Sequence, residues 1–311
     1  MGTKTEKYLK RKYLTLLILM LISIPVSAKE MLILLSENHA VHNTVAQYIE
    51  KNTPLRTRIE TYENYPYISK NFMDTVQIVV PVGARACETA VLHHKVNVHV
   101  ICTLIPLQAY KTLINTHQHS INAPQYSAIY LDQPIKRKVA LSRIIAPNAT
   151  SLSTLFGQSS LIHQDDFERH SEAFGFNAHH AFLHESQNPV QVLTPLIQRS
   201  DIFIAIPDNA HFNRSVARWA LYITLRNKIP LIGFSENYSK AGAVISIYST
   251  PEQLASETLN KIQTFTQEGY LEKPSYSNQF TIKINRATAR TLRLDLPTTQ
   301  ELFKLLQEVD Q

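Results

Sequence analysis

With 311 residues, 44% of them hydrophobic and 18% charged, the chain is long and apolar enough to bury one large or two ordinary cores. Its formal charge of +6 does not imply a nucleic-acid partner: residues 1–28 hold five Lys/Arg and one Glu, or +4, which leaves +2 on the other 283 residues (311 − 28), with no basic stripe interleaved with aromatics. Two cysteines, Cys87 and Cys102, are too few for a disulfide scaffold.

The first segment, "KTEKYLKRKYLTLLILMLISIPVSAKE", has the three parts of a cleaved secretory signal peptide. Lys4, Lys7, Lys10, Arg11 and Lys12 form its basic start, Tyr13 to Ile24 its apolar run, and Val26-Ser27-Ala28 its cleavage site. The apolar run is shorter than the roughly 20 residues of a comfortable membrane span, and Pro25 breaks it. The mature chain is therefore expected to begin near Lys29, exported and soluble, with an uncleaved anchor as the alternative.

Beyond it, short apolar runs alternate with helix-patterned segments, the pattern of parallel α/β layers. "EMLILLS" reads as a strand, "HAVHNTVAQYIEKN" as a helix, "RTRIETY" as an edge-like strand, "DTVQIVVPVG" as a buried strand, "ARACETAVLHHK" as a helix and "VNVHVICT" as a strand. After "YSAIYLDQP" a second set of the same kind follows: helix "IKRKVALSRIIA", strand "SLSTLFG", helix "QDDFERHSEAF", strand "AHHAFLH", helix "PVQVLTPLIQR", strand "DIFIAIP", helix "FNRSVARWALYITLRN" and strand "IPLIGFS". In that set the "KRK" of residues 136–138 reads as the solvated face of its helix. The last stretch adds "GAVISIYST", a helix opened by Pro251-Glu252, a strand alternating Phe280, Ile282 and Ile284, and a terminal helix capped by Thr298 or Thr299 with Glu301 nearby. The expected fold is α/β with two Rossmann-like lobes on parallel sheets, joined by a multi-strand hinge. The expected division is 1–28 as signal peptide, 29–126 with 242–275 as lobe I, and 127–241 with 276–311 as lobe II.

Familiar chemistry is missing from the spacing. No GxGxxG or GxxxxGK[ST] follows a strand, so no nucleotide cofactor is expected. The 13 histidines include adjacent pairs and an HQH but no HExxH, so surface histidine explains them better than a metal site. Ser235 follows a strand, yet Asn237 stands where the second glycine of a GxSxG elbow belongs. Asp165-Asp166 fall at a helix start, where acids favour the dipole. An enzyme is not expected. Cys87 and Cys102 can pair in an oxidising compartment if their Cα atoms approach to about 4.4–6.8 Å; this stays open at the level of sequence.

What recurs is a small polar cluster after each apolar strand: Ser36-Glu37-Asn38, Gly83-Ala84-Arg85 and Thr103 in the first half, Gln158-Ser159-Ser160, Asp208-Asn209 and Ser235-Glu236-Asn237 in the second. In open parallel sheets ligands bind beyond the carboxyl ends of the strands, against helix N-termini. Each cluster taken singly reads as a helix cap; six of them on two lobes also describe a shared cleft.

The blocks "VPVGARA", "YLDQPIKRKVALSRIIAPNATSL", "AIPDNAHFNRSVARWALYITLRNKIPLIGFSENYSKAGAVISIYSTPEQL" and "INRATARTLRLDLP" resemble the periplasmic substrate-binding proteins of ABC transporters, in the branch with tryptophan- and tyrosine-binding members. The resemblance implies a type I periplasmic-binding fold with three crossovers, closing on a small molecule. It also implies that Asp208 and Asn209 match a cleft-facing pair that receives an ammonium group, and that Gly83 and Ala84 match a loop offering N–H groups to a carboxylate. The usual Gly-Thr of that loop reads Gly83-Ala84 here, a lost hydroxyl that weakens the case for an amino-acid solute. The expected ligand contacts are thus Asp208 and Asn209, the hydroxyls of Ser36, Thr103, Ser159 and Ser235, the loop of Gly83 and Ala84, and Tyr238, which either covers an apolar part of the ligand or is a surface residue beside the hinge. The expected function is a periplasmic, monomeric solute-binding protein that delivers a small polar or amphipathic molecule to an ABC permease. A ligand-sensing subunit for a membrane sensor kinase or cyclase is the alternative, and an exported α/β enzyme the third possibility.

Overall fold

The computed structural model describes residues 30–93, 97–119, 123–208 and 214–310. The signal peptide read at 1–28 and the candidate ligand residue Asn209 lie outside the described residues.

The first lobe runs β1 (Glu30–Leu35), α1 (Ala40–Asn52), β2 (Arg56–Thr61), α2 (Lys70–Met73), β3 (Val76–Val82), α3 (Ala84–Leu92), β4 (His99–Ile105), α4 (Leu107–Thr116) and β5 (Tyr126–Tyr130). The second runs α5 (Ile135–Ile145), β6 (Ser151–Phe156), α6 (Gln164–Ala173), β7 (Asn177–Phe182), α7 (Pro189–Gln198), β8 (Ile202–Ile204), α8 (Arg214–Arg226), β9 (Leu231–Gly233), α9 (Glu236–Ala241) and β10 (Ile245–Tyr248). The chain then returns to the first lobe for α10 (Pro251–Glu268) and β11 (Ser275–Tyr276), and ends in the second with β12 (Thr281–Ile284), α11 (Arg286–Thr291) and α12 (Thr299–Asp310).

Among the described residues there are two six-stranded sheets, ordered β2-β1-β3-β4-β5-β11 and β7-β6-β8-β9-β10-β12. Every pairing is parallel except that of β10 with β12. The apolar run of β1 is buried along its whole length, as a strand covered on both faces must be. The charged, alternating "RTRIET" of β2 lies at the sheet edge, where it discourages pairing with another chain. The terminal helix opens as expected: Thr298 Oγ1 accepts from the N–H of Glu301, whose carboxylate accepts from the N–H of Thr298 at 2.7 Å.

Two expectations need correction. The lobe boundaries at 126/127 and 241/242 each cut off a strand, and that at 275/276 splits β11, which lies wholly in the first sheet. All of β5 belongs to the first sheet, pairing with β4 and β11, and β10 belongs to the second, between β9 and β12. Ladder partners decide membership, and these lie far away in sequence. The chain therefore crosses between lobes three times, at Leu131–Pro134, at Ser249–Thr250 and after Tyr276.

The second correction concerns "KRK". Arg137 and Lys138 are 3% and 1% exposed, not solvated. Arg137 Nη1 donates to Gln133 Oε1 and, at 3.2 Å, to the carbonyl of Ser277, while its guanidinium lies over the Phe280 ring, 4.3 Å from the centroid. Gln133 Nε2 donates in turn to Ser249 Oγ at 2.7 Å. One arginine thus ties the three crossing segments together, supplying donors that their bent backbones and amide would otherwise lack when buried.

Candidate functional site

A cavity of about 620 Å³ opens between the lobes, within the range of small-molecule sites. The first lobe contributes Ala84 and Glu88 of α3 and the inner face of α4, notably Gln108, Ala109, Thr112 and Leu113. The second contributes Ser159, His163, Pro207, Phe234, Ser235 and Tyr248, and two crossing segments add Leu131, Asp132, Gln133 and Ser249. These positions follow the carboxyl ends of β3, β4, β6, β8 and β9, where an open parallel sheet leaves helix N-termini uncovered.

Strand β4 delivers α4 to this wall through an irregularity. Its register to β5 shifts between Cys102 and Ile105, and Leu104 takes φ 56°, an uncommon conformation for a branched side chain. The kink turns Ile105 and Pro106 toward the cavity. The first free N–H of α4, that of Leu107, is taken by Asp132 Oδ2 at 2.6 Å, so the buried carboxylate is held at a helix N-terminus. Behind Asp132 lies Lys138, whose pKa burial pushes down to about 8 against the opposing pull of Asp132. His163 is lowered too, first by burial and then by the Lys138 ammonium, so its imidazole is neutral at neutral pH. Its Nδ1 is buried without a hydrogen-bond partner.

Of the described residues expected to contact a ligand, Ala84, Ser159 and Ser235 line the cavity, whereas Ser36, Gly83, Thr103, Asp208 and Tyr238 do not. Ser36 Oγ accepts the N–H of Ala86 at 2.9 Å, capping α3 from the end of β1. Gly83 takes φ 94° and lies so close to Ser36 and His42 that an added Cβ would come within 2.6 Å of Ser36 Oγ. Thr103 is fully buried and accepts from Thr258 Oγ1 of α10 at 2.9 Å. Asp208 is buried and is not among the residues that line the cavity; its Oδ2 accepts the N–H of Ser160 at 2.7 Å, within its own lobe. Tyr238 is neither a ligand cover nor a surface residue. It packs in the second core, 7% exposed, with burial raising its pKa, and its neighbour Phe234, 4.7 Å away between ring centroids, faces the cavity instead.

The close packing at Asp208 gives a direct test. A Cβ at Gly157 would lie 2.7–2.8 Å from the Asp208 carboxylate atoms, so Gly157→Ala is expected to cost about 1–3 kcal/mol through overpacking. A urea midpoint unchanged from the parent would show that Asp208 turns elsewhere.

Sequence reasoning missed helix α4, the largest single wall of the site. Its signal was present: Leu107, Tyr110 and Leu113-Ile114 recur at helical spacing directly after Pro106. It also passed over Asp132 and His163, whose significance depends on contacts with other elements.

No family model matches the chain, and no curated protein matches it. Solved structures do. A substrate binding protein with adhesive properties from Clostridium difficile, in its ligand-free, open form, is similar at TM-score 0.69 and 15% identity, over 88% of this chain and 97% of that one. An ABC domain in complex with L-Trp from Streptococcus pneumonia is similar at TM-score 0.58 and 14% identity, over 88% and 98%. A periplasmic ribose ABC transporter protein from Conexibacter woesei is similar at TM-score 0.56 and 9% identity, over 88% and 96%. At such identities the likeness shows the fold: two lobes of the type I periplasmic-binding kind.

Proposed function

We propose that this protein is an exported solute-binding protein that captures a small organic molecule between its lobes and presents the closed form to an ABC permease. One observation carries the reading: a single cavity is lined by both lobes and by two of the segments that join them. A molecule held there touches both halves of a hinge, so its binding energy goes preferentially to the closed arrangement, which is how a ligand shifts a two-state population. The sugar- and L-Trp-associated names of the similar structures fit a small polar or amphipathic solute here. The remaining ligand contacts are assigned to Ala84, Ser159 and Ser235, with no covalent chemistry and no cofactor.

The test is a thermal-shift screen of amino acids, amines, nucleosides, sugars and organic acids on the purified exported chain. A true solute at about 100 times its Kd is expected to add about 2.7 kcal/mol of stability, a shift of several degrees, with no product formed. If no class shifts the transition of folded protein free of co-purified ligand, the reading fails. Turnover of a compound would move the protein to the enzymes.

A further inference from the structure

The cavity has a charge imbalance opposite to that of the chain. Among the described residues, none that lines it is Lys or Arg, whereas Glu88 and Asp132 both do; the whole sequence holds 31 Lys/Arg against 25 Asp/Glu. The ammonium of Lys138 acts on Asp132 from α5 without lining the cavity. It offsets part of the charge of Asp132 and leaves the two carboxylates in net excess. Lys111 and Asp166 also act on this corner, with opposite signs, and neither lines the cavity.

A second, independent feature asks for a bound molecule. His163 lines the cavity, its side chain belongs to a residue only 4% exposed, and its Nδ1 has no hydrogen-bond partner. Buried polar atoms are nearly always paired, so a solute group that bonds this imidazole removes a standing cost. An anion such as phosphate, sulfate or a dicarboxylate would meet two carboxylates and no side-chain cation.

We infer that the solute carries a positively charged nitrogen received by Asp132, in the first crossing segment, with a hydrogen-bonding group at His163 and an apolar body along Ala109 and Leu113 of α4. This rests on the solute-binding reading above. Its consequence is mechanical: the charge lands on the hinge, because Asp132 also holds the N-terminus of α4 and the adjacent Gln133 bonds to Ser249 of the second crossing.

The experiment is isothermal titration calorimetry with two charge-matched series: 2-phenylethylamine, 2-phenylethanol and 3-phenylpropionate, and tryptamine, tryptophol and indole-3-propionate. The amine of at least one series is expected to bind ten-fold or more tightly than its neutral and anionic partners. Asp132→Asn, which can still accept from Leu107, is expected to erase that preference, while Asp208→Asn keeps it; the melting temperature of each unliganded variant checks that it is folded. An alcohol or acid binding as tightly as the amine, or a preference that survives Asp132→Asn, overturns the inference and leaves the solute-binding reading standing. Should all six fail, the wider screen decides: a neutral or anionic binder overturns the inference alone, and no binder at all overturns both.

Discussion

Replacing Cys87 and Cys102 together by alanine is expected to lower stability by about 3 kcal/mol, the loop-closure value for a bridge spanning about 15 residues. The two cysteines form a disulfide across a sequence separation of 15, with Cα atoms 5.6 Å apart and both side chains fully buried. The bond joins the first turn of α3 to β4 and therefore acts where the cavity is built. Gly83, just before α3, donates its N–H to the carbonyl of Thr103, just after Cys102, at 2.9 Å. Bridge and hydrogen bond together pin Ala84 at the cavity rim. Guanidinium denaturation of the parent under oxidising and reducing conditions, beside the double variant, checks this. The reduced parent and the variant should both lose stability; a variant as stable as the oxidised parent would mean that the unfolded chain gains no freedom when the bridge is removed.

Lys138→Met is expected to make the protein more stable at pH 7, by up to about 3 kcal/mol. Burial pushes the Lys138 pKa from its ordinary 10.5 down to about 8. Below pH 8 the folded and unfolded chains both carry the proton, and the folded state bears the full cost of a buried ammonium. Between pH 8 and 10.5 the folded state releases its proton while the unfolded chain keeps it, so stability rises with pH across that window. Above 10.5 the cost is gone, and the advantage of methionine should vanish with it. Urea unfolding of both proteins at pH 7 and near pH 10 reads the difference. A variant less stable at pH 7 would show that attraction to Asp132 outweighs burial. The cost is consistent with a residue kept for its place beside the cavity rather than for stability.

Most of the secondary structure was legible because burial on both faces demands an uninterrupted apolar run, as in "EMLILL" and "VQIVVPV", and because turns and caps have their own residues. The gaps had specific causes. Helix α4 follows β4 after a single proline, with no polar turn to mark its start. "KRK" has the composition of a solvated face, yet Arg137 is buried where it bonds the Gln133 side chain and the Ser277 carbonyl and lies over the Phe280 ring. Asp208 sits where a parallel sheet offers ligand contacts, yet its Oδ2 accepts the N–H of Ser160, in its own lobe.

By itself, then, the sequence determined the alternation of strands and helices, the order of the two lobes and the helix caps that depend on neighbours within a few residues. Three other matters were decided in the tertiary structure: which sheet β5 and β10 join, that Cys87 reaches Cys102, and that Asp132 and His163, rather than Asp208 and Tyr238, face the cavity. The reason is one of range. A strand, a turn or a cap is stabilised by contacts close along the chain, whereas a ladder partner or a cavity wall is chosen by residues tens to more than a hundred positions away, whose approach no local pattern records.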